Sequence, residues 1–175
     1  MVATRPLRVL LIDDDPPDVE MVREAMRVSG VACRLTVLTH GDEVLPLLRG
    51  EPPNQSRFLP DLILLDINLP GAGGIGILEA IKSDRELAPT PVVVFTTSRY
   101  ARDIEVAYRG RANAYICKPI DWASFQRIIA GVTRFWQGVA RQPSGGGPQI
   151  RVGSPCSSPP PPERAEKQYP RPRTD

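Results

Sequence analysis

Cysteine is scarce in this 175-residue chain. Cys33, Cys117 and Cys156 are scattered and odd in number, and no C-x-x-C pair exists. Nothing therefore points to a disulfide framework or a cysteine zinc site, and a reduced, cytoplasmic setting fits best. His40 is the sole histidine, so a histidine-based catalytic or metal cluster is not available; it reads as an exposed turn residue. No apolar stretch approaches the roughly 18 residues of a membrane span. Met1 to Arg8 has no apolar core of signal-peptide length, so neither membrane nor export is expected. The glycine-rich Gly71–Gly74 is not followed by G-K-[ST] and is not a phosphate-cradling P-loop.

An excess of charge is also missing where it would matter. The formal net charge is +2, but residues 1–141 hold 17 basic and 17 acidic residues. The surplus lies entirely in residues 142–175, with 5 basic and 3 acidic. Nothing in the bulk charge of the main body argues for nucleic acid.

What is present divides into two parts. Residues 1–141 are expected to form one domain. Residues 142–175 hold nine of the twenty prolines, with glycine and serine in PSGGGP and GSPCSSPPPP. So few apolar residues cannot offset ordering entropy, so a disordered tail is expected there. Its Pro159–Pro162 run is locally polyproline-like, a passive spacer or a ligand for an aromatic groove.

Within the first part, Arg8–Ile12, Leu62–Leu65 and Val92–Phe95 are short and almost wholly apolar. Such runs suit strands covered on both faces of a parallel sheet. Arg34–Leu38 and Ala114–Cys117 are weaker strand candidates. Helical spacing separates them: Val19, Val22, Ala25, Met26 and Val28; Val44, Leu45, Leu47 and Leu48; Ile75, Leu78 and Ile81; Ile104, Ala107 and Tyr108; and Phe125, Ile128, Ile129, Val132, Phe135 and Trp136. Five strands alternating with five helices predict a doubly wound α/β fold around a five-stranded parallel sheet. The long Gly50–Pro60 segment reads as a surface loop, with Phe58 or Leu59 pinned to the body.

The chemistry-bearing residues follow this rhythm. Asp13-Asp14-Asp15, Asp66, Thr96 and Lys118 stand at the C-terminal ends of the strand-like runs. In an open α/β sheet, ligands bind outside those ends. Carboxylates about 4 Å apart repel by about 4 kcal/mol at an effective dielectric of 20, so a hard dication is the obvious compensation, and magnesium suits few protein oxygens. Each residue also has a plainer reading. Asp13–Asp15 could cap a helix and fill a turn; Asp66, Thr96 and Lys118 could be ordinary strand-end polar residues. The ordered conjunction is what the plainer readings leave unexplained.

The motifs LLIDDD, LLDINLPGAGG, VVVFTTS and Lys118–Pro119 resemble the receiver domain of two-component response regulators (a flavodoxin-like fold). The resemblance covers residues 7–137. It implies that Asp66 is the phosphoacceptor. Magnesium would be bound by Asp14 directly, by Asp13 mainly through water, by Asp66, and by the main-chain carbonyl of Asn68. Thr96 and Lys118 would bind phosphoryl oxygens, across a cis Lys118–Pro119 bond. Thr96 and Tyr115 would form the switch pair. The implied donor is a phosphohistidine on a sensor histidine kinase, and the chain would be no enzyme beyond slow loss of its own phosphoryl group. The Gly50–Pro60 loop, the VVVFTTS strand and Val132-Thr133-Arg134-Phe135-Trp136 are similar to single-domain regulators paired with phytochrome kinases. That likeness implies a homodimer through the fourth helix, fifth strand and fifth helix, with Trp122, Phe135 and Trp136 on its face. Two adjacent aromatics on one helix are not both expected to face inward. Asp15, where many relatives are neutral, is a departure, and Pro16-Pro17 after it should start the first helix cleanly.

Two other classes compete. A haloacid-dehalogenase-type phosphohydrolase would use Asp13 as nucleophile and Asp15 as general acid, but it leaves Asp66 to Pro70 unexplained. A receiver-like chain that only binds partners would have no need of the full acid, threonine and lysine set.

Overall fold

The structure is a computed structural model that describes residues 5–54, 56–71 and 73–139. The tail assigned to residues 142–175 lies outside the described residues. The elements run β1 (Leu7–Ile12), α1 (Pro16–Val28), β2 (Cys33–Leu38), a 3₁₀ turn (Gly41–Glu43), α2 (Val44–Arg49), β3 (Leu62–Leu65), α3 (Gly73–Ser83), β4 (Val92–Thr96), α4 (Ala101–Arg109), β5 (Ala114–Cys117) and α5 (Trp122–Arg134). The chain leaves α5 through a π-helical turn, Phe135–Val139.

The five strands form one parallel sheet in the order β2-β1-β3-β4-β5. The order reverses at β1, which pairs with β2 on one side and β3 on the other. A crevice opens at such a switch point, beyond the carboxyl ends of β1 and β3. Register sets Ile12 opposite Leu65, so the residues that follow, Asp13 and Asp66, emerge side by side.

The apolar runs are buried on both faces, as their composition requires. Leu7, Val9 and Leu11 of β1 pack with Leu62, Leu64, Val93 and Phe95 against α1 and α5, through Val22, Ala25, Phe125 and Ile129. Leu10 and Ile12 pack with Ile63, Leu65, Val92 and Val94 against the other helices, through Val44, Leu48, Leu78, Ile81 and Ala107. β2 and β5 are only half-buried. They are the sheet's edges, which is why their sequence signal is weaker. Phe58 and Leu59 both rest on the second cluster, so the Gly50–Pro60 loop is pinned as expected.

The late aromatics divide. Trp136 packs against the α1–α5 core, whereas Phe135 is 49% exposed; their rings meet edge to face at 5.1 Å. Trp122 stacks on Phe125 at 6.1 Å. Trp136 is thus spent largely on its own domain, and the expected dimer face retains Trp122 and Phe135.

Candidate functional site

Three strand ends meet at one carboxylate. Asp66 follows β3 and is buried. Its Oδ1 accepts the Thr96 hydroxyl at 2.8 Å and the Asn68 main-chain N–H at 2.8 Å. Its Oδ2 accepts Lys118 Nζ at 2.7 Å. Thr96 comes from the end of β4, and Lys118 follows β5. The main chain ties these two together, Lys118 N–H donating to the Thr96 carbonyl at 2.7 Å. The Asn68 side-chain amide closes the ring by donating to the Thr96 hydroxyl at 3.1 Å.

Lys118 is the hub. Its ammonium donates to Asp13 at 2.8 Å, Asp18 at 2.6 Å and Asp66 at 2.7 Å. An ammonium has three protons to donate, and all three are used. It also lies 5.8 Å from the centre of the Phe95 ring, over its face. Burial opposes its charge, yet the carboxylates raise its pKa above the ordinary lysine range. Asp13 is pushed up too, by burial first and by the nearby Asp66 charge, with Lys118 opposing. Three carboxylates around one ammonium leave the site short of positive charge.

That shortage is the test of a metal. Oxygens of Asp13, Asp18 and Asp66 all lie within 4.8 Å of one another. Hard carboxylate oxygens at that spacing, already undercompensated, fit a divalent cation.

Asp14 is exposed and is not one of the three carboxylates that cluster around Lys118. Side chains alternate at a strand's end; Asp13 turns inward, and its neighbour does not follow. The third carboxylate is instead Asp18, in the first turn of α1. Pro16 and Pro17 at N1 and N2, with Asp15 as N-cap, start the helix so that Asp18 swings over Lys118. The sequence signal was there: a Pro-started helix right behind Asp15 puts residue 18 in the first turn, on the strand-end side. One expectation needs correction: Lys118–Pro119 is trans, and the cis bond found among the described residues is Pro52–Pro53. Trans is the intrinsic preference of an X–Pro bond, and Lys118 reaches all three carboxylates from it.

Tyr115 is half-buried against the core, and its hydroxyl donates to the Ser98 carbonyl at 3.1 Å. Burial raises its pKa. The Ser98 N–H donates in turn to the Thr96 hydroxyl at 3.3 Å, so one residue links the proposed switch aromatic to the site. Sequence reading missed Ser98. Asp15 stays exposed; its N–H donates to Asp13 at 3.1 Å and its carbonyl accepts from the Val19 N–H at 3.0 Å, which is the placement of a helix cap and not of a general acid.

The chain matches the response regulator receiver domain family over residues 9–130. Response regulator Rcp1 of Synechocystis sp. is 33% identical over 131 residues, covering 75% of this chain and 89% of Rcp1. The crystal structure of the phosphorylated cyanobacterial phytochrome response regulator RcpA is 35% identical, covers 79% of this chain and 99% of that one, and superposes with a TM-score of 0.75. The Mn(2+)-bound form of Rcp1 is 30% identical, covers 79% and 100%, and has a TM-score of 0.73. The fold, the acid–threonine–lysine site at its strand ends and these matches together lead to one conclusion: this chain belongs to the response regulator receiver domain family.

Proposed function

We propose that this response regulator takes a phosphoryl group on Asp66 from a phosphohistidine of a phytochrome-type sensor kinase. The supporting observation is the convergence of Thr96 and Lys118 on the two oxygens of one buried carboxylate. An Asp66 oxygen forms the new O–P bond while the donor's P–N bond breaks. The electron pair leaves with the imidazole nitrogen, which is protonated from solvent. Phosphoryl transfer depends on positioning and charge neutralisation. Lys118 supplies a fixed cation, Thr96 and the Asn68 N–H orient the carboxylate, and burial excludes water.

Asp13, Asp66, the exposed Asp14 and the Asn68 main-chain carbonyl would hold magnesium. Bound there, it would neutralise charge on the phosphoryl oxygens. No step requires an enzyme beyond slow hydrolysis of the acyl phosphate. The product carries about −2 charges. Thr96, already on Asp66, would follow the new oxygens, and Tyr115 would repack through Ser98. The readout would be a homodimer contact on α4, β5 and α5, a face on which Ile120 is 94%, Tyr108 52% and Trp122 39% exposed. Among the described residues no helix is long and apolar enough to cross a membrane, and the cytoplasm is the proposed setting.

Intact mass after incubation with a small phosphodonor tests this, with and without magnesium, on wild type and Asp66→Asn. One magnesium-dependent phosphoryl group, absent in the mutant, is the expected result. No labelling of wild type, even by a cognate kinase, would sink the reading in favour of a partner-binding receiver.

A further inference from the structure

We propose that Asp18 is a positioning residue that holds the Lys118 ammonium aimed at the Asp66 oxygens, from a helix rather than a strand end. The inference builds on Asp66 as acceptor but rests on its own geometry. Lys118 carries a long, rotatable stem, and its three donors are divided among three carboxylates. Asp13 and Asp66 belong to adjacent strands of one rigid sheet. They define a line, not a direction. Asp18 stands outside that line, on α1, and makes the shortest of the three contacts, 2.6 Å. A third anchor removes the rotation that two leave open.

Asp18 is also suited to staying in place. It lies in the first turn of α1, where the helix dipole favours a carboxylate. Its side chain is 20% exposed, against 0% for Asp13. It thus stays partly open to water, whereas Asp13 and Asp66 are buried. When Asp66 becomes an acyl phosphate, its contact with Lys118 has to pass to a phosphoryl oxygen. Asp18, like Asp13, is an anchor whose own chemistry does not change in that event. Loss of Asp18 leaves the lysine tied to Asp13 and to the one group that the reaction itself alters.

The sequence offers a direct readout, because it holds only three lysines: Lys82, Lys118 and Lys167. Lys82 is buried like Lys118. It donates to the Ala88 and Thr90 carbonyls and to Asn113, far from the site in the hydrogen-bond network. Trace acylation with acetic anhydride, read by peptide mass, compares the two. In Asp18→Asn, the buried Lys118 loses one of three anchors, swings away from Asp13 and Asp66 more often and should label about tenfold faster, with Lys82 unchanged. Asp15→Asn removes the neighbouring exposed charge, which does not touch Lys118, and should alter neither. Phosphoryl uptake from the small phosphodonor should fall about five- to tenfold in Asp18→Asn and stay at the wild-type rate in Asp15→Asn. Unchanged Lys118 labelling in Asp18→Asn would overturn the proposal. So would a matching rise at Lys82, which reports loosening of the whole fold, or an equal effect from Asp15→Asn. Failure of wild type to take phosphate would instead strike the acceptor assignment and leave the labelling result standing.

Discussion

Gly74 lies against the main chain of Asp66 so closely that a Cβ built on it would stand 2.1 Å from the Asp66 carbonyl oxygen and 2.5 Å from the Ile67 Cα. The start of α3 thus rests directly on the end of β3. No flexible side chain intervenes to give way, so any residue larger than glycine must displace the backbone that carries the acceptor.

Gly74→Ala should therefore damage site and fold together. Overpacking of this kind costs about 1–3 kcal/mol, and a displaced Asp66 should lower phosphoryl uptake at least tenfold. Urea unfolding and the phosphodonor assay check the two arms. Full activity with unchanged stability would mean that the loop relaxes at no cost.

Lys118→Met should make stability depend on divalent metal. Without the ammonium, three carboxylates within 4.8 Å face one another, and removing one partner of a buried charge cluster costs about 3–5 kcal/mol. Magnesium supplies the missing charge, so millimolar magnesium should raise the variant's thermal midpoint far more than that of wild type. Equal shifts in the two proteins would count against a cation among these carboxylates.

Tyr115→Phe removes the bond to the Ser98 carbonyl. A neutral hydrogen bond contributes about 1 kcal/mol net, so the unphosphorylated protein should lose about that much stability. Phosphorylated protein should lose less, because Tyr115 has then given up the contact. Hydrogen exchange around Ser98 in both forms decides it; an identical loss would make Tyr115 a static packing aromatic.

Acid should weaken the N-terminal strand first. Burial pushes the Asp61 carboxyl up, but the guanidiniums of Arg5 and Arg8 hold it down to about 2. They contact it at 2.6 and 3.1 Å, and the Arg8 N–H adds a bond at 2.9 Å. The folded value lies below the ordinary value of 3.8. The stabilisation is therefore complete above about pH 4 and lost as pH falls from 4 toward 2, on the order of 1–2 kcal/mol. Asp61→Asn should remove that part of the acid dependence in urea titrations between pH 5 and 2; an unaltered slope would place the acid sensitivity elsewhere.

The fold was legible because its strands are buried on two faces. Only continuous apolar runs such as Leu62–Leu65 and Val92–Phe95 can fill that position, and each ends at a polar residue with chemistry to offer. Asp13, Asp66, Thr96 and Lys118 were accordingly identified from their places at the ends of those runs. The 3₁₀ turn Gly41–Glu43 and the π-helical exit after Arg134 carry no comparable period and went unread.

What the linear order alone determined is which residue types arrive at the sheet's carboxyl edge, since strand ends are set by local hydrophobic pattern. Which of them touch was decided by tertiary structure. Asp14 is exposed, and Asp18 takes the third place at Lys118, because the inward direction of a side chain depends on strand register and on the angle at which α1 leaves β1. Trp136 turns to the core and Phe135 away from it for the same reason. A carboxylate's sequence neighbours are fixed by covalent bonds, but its partners are fixed by the packing of elements that lie far apart in the chain.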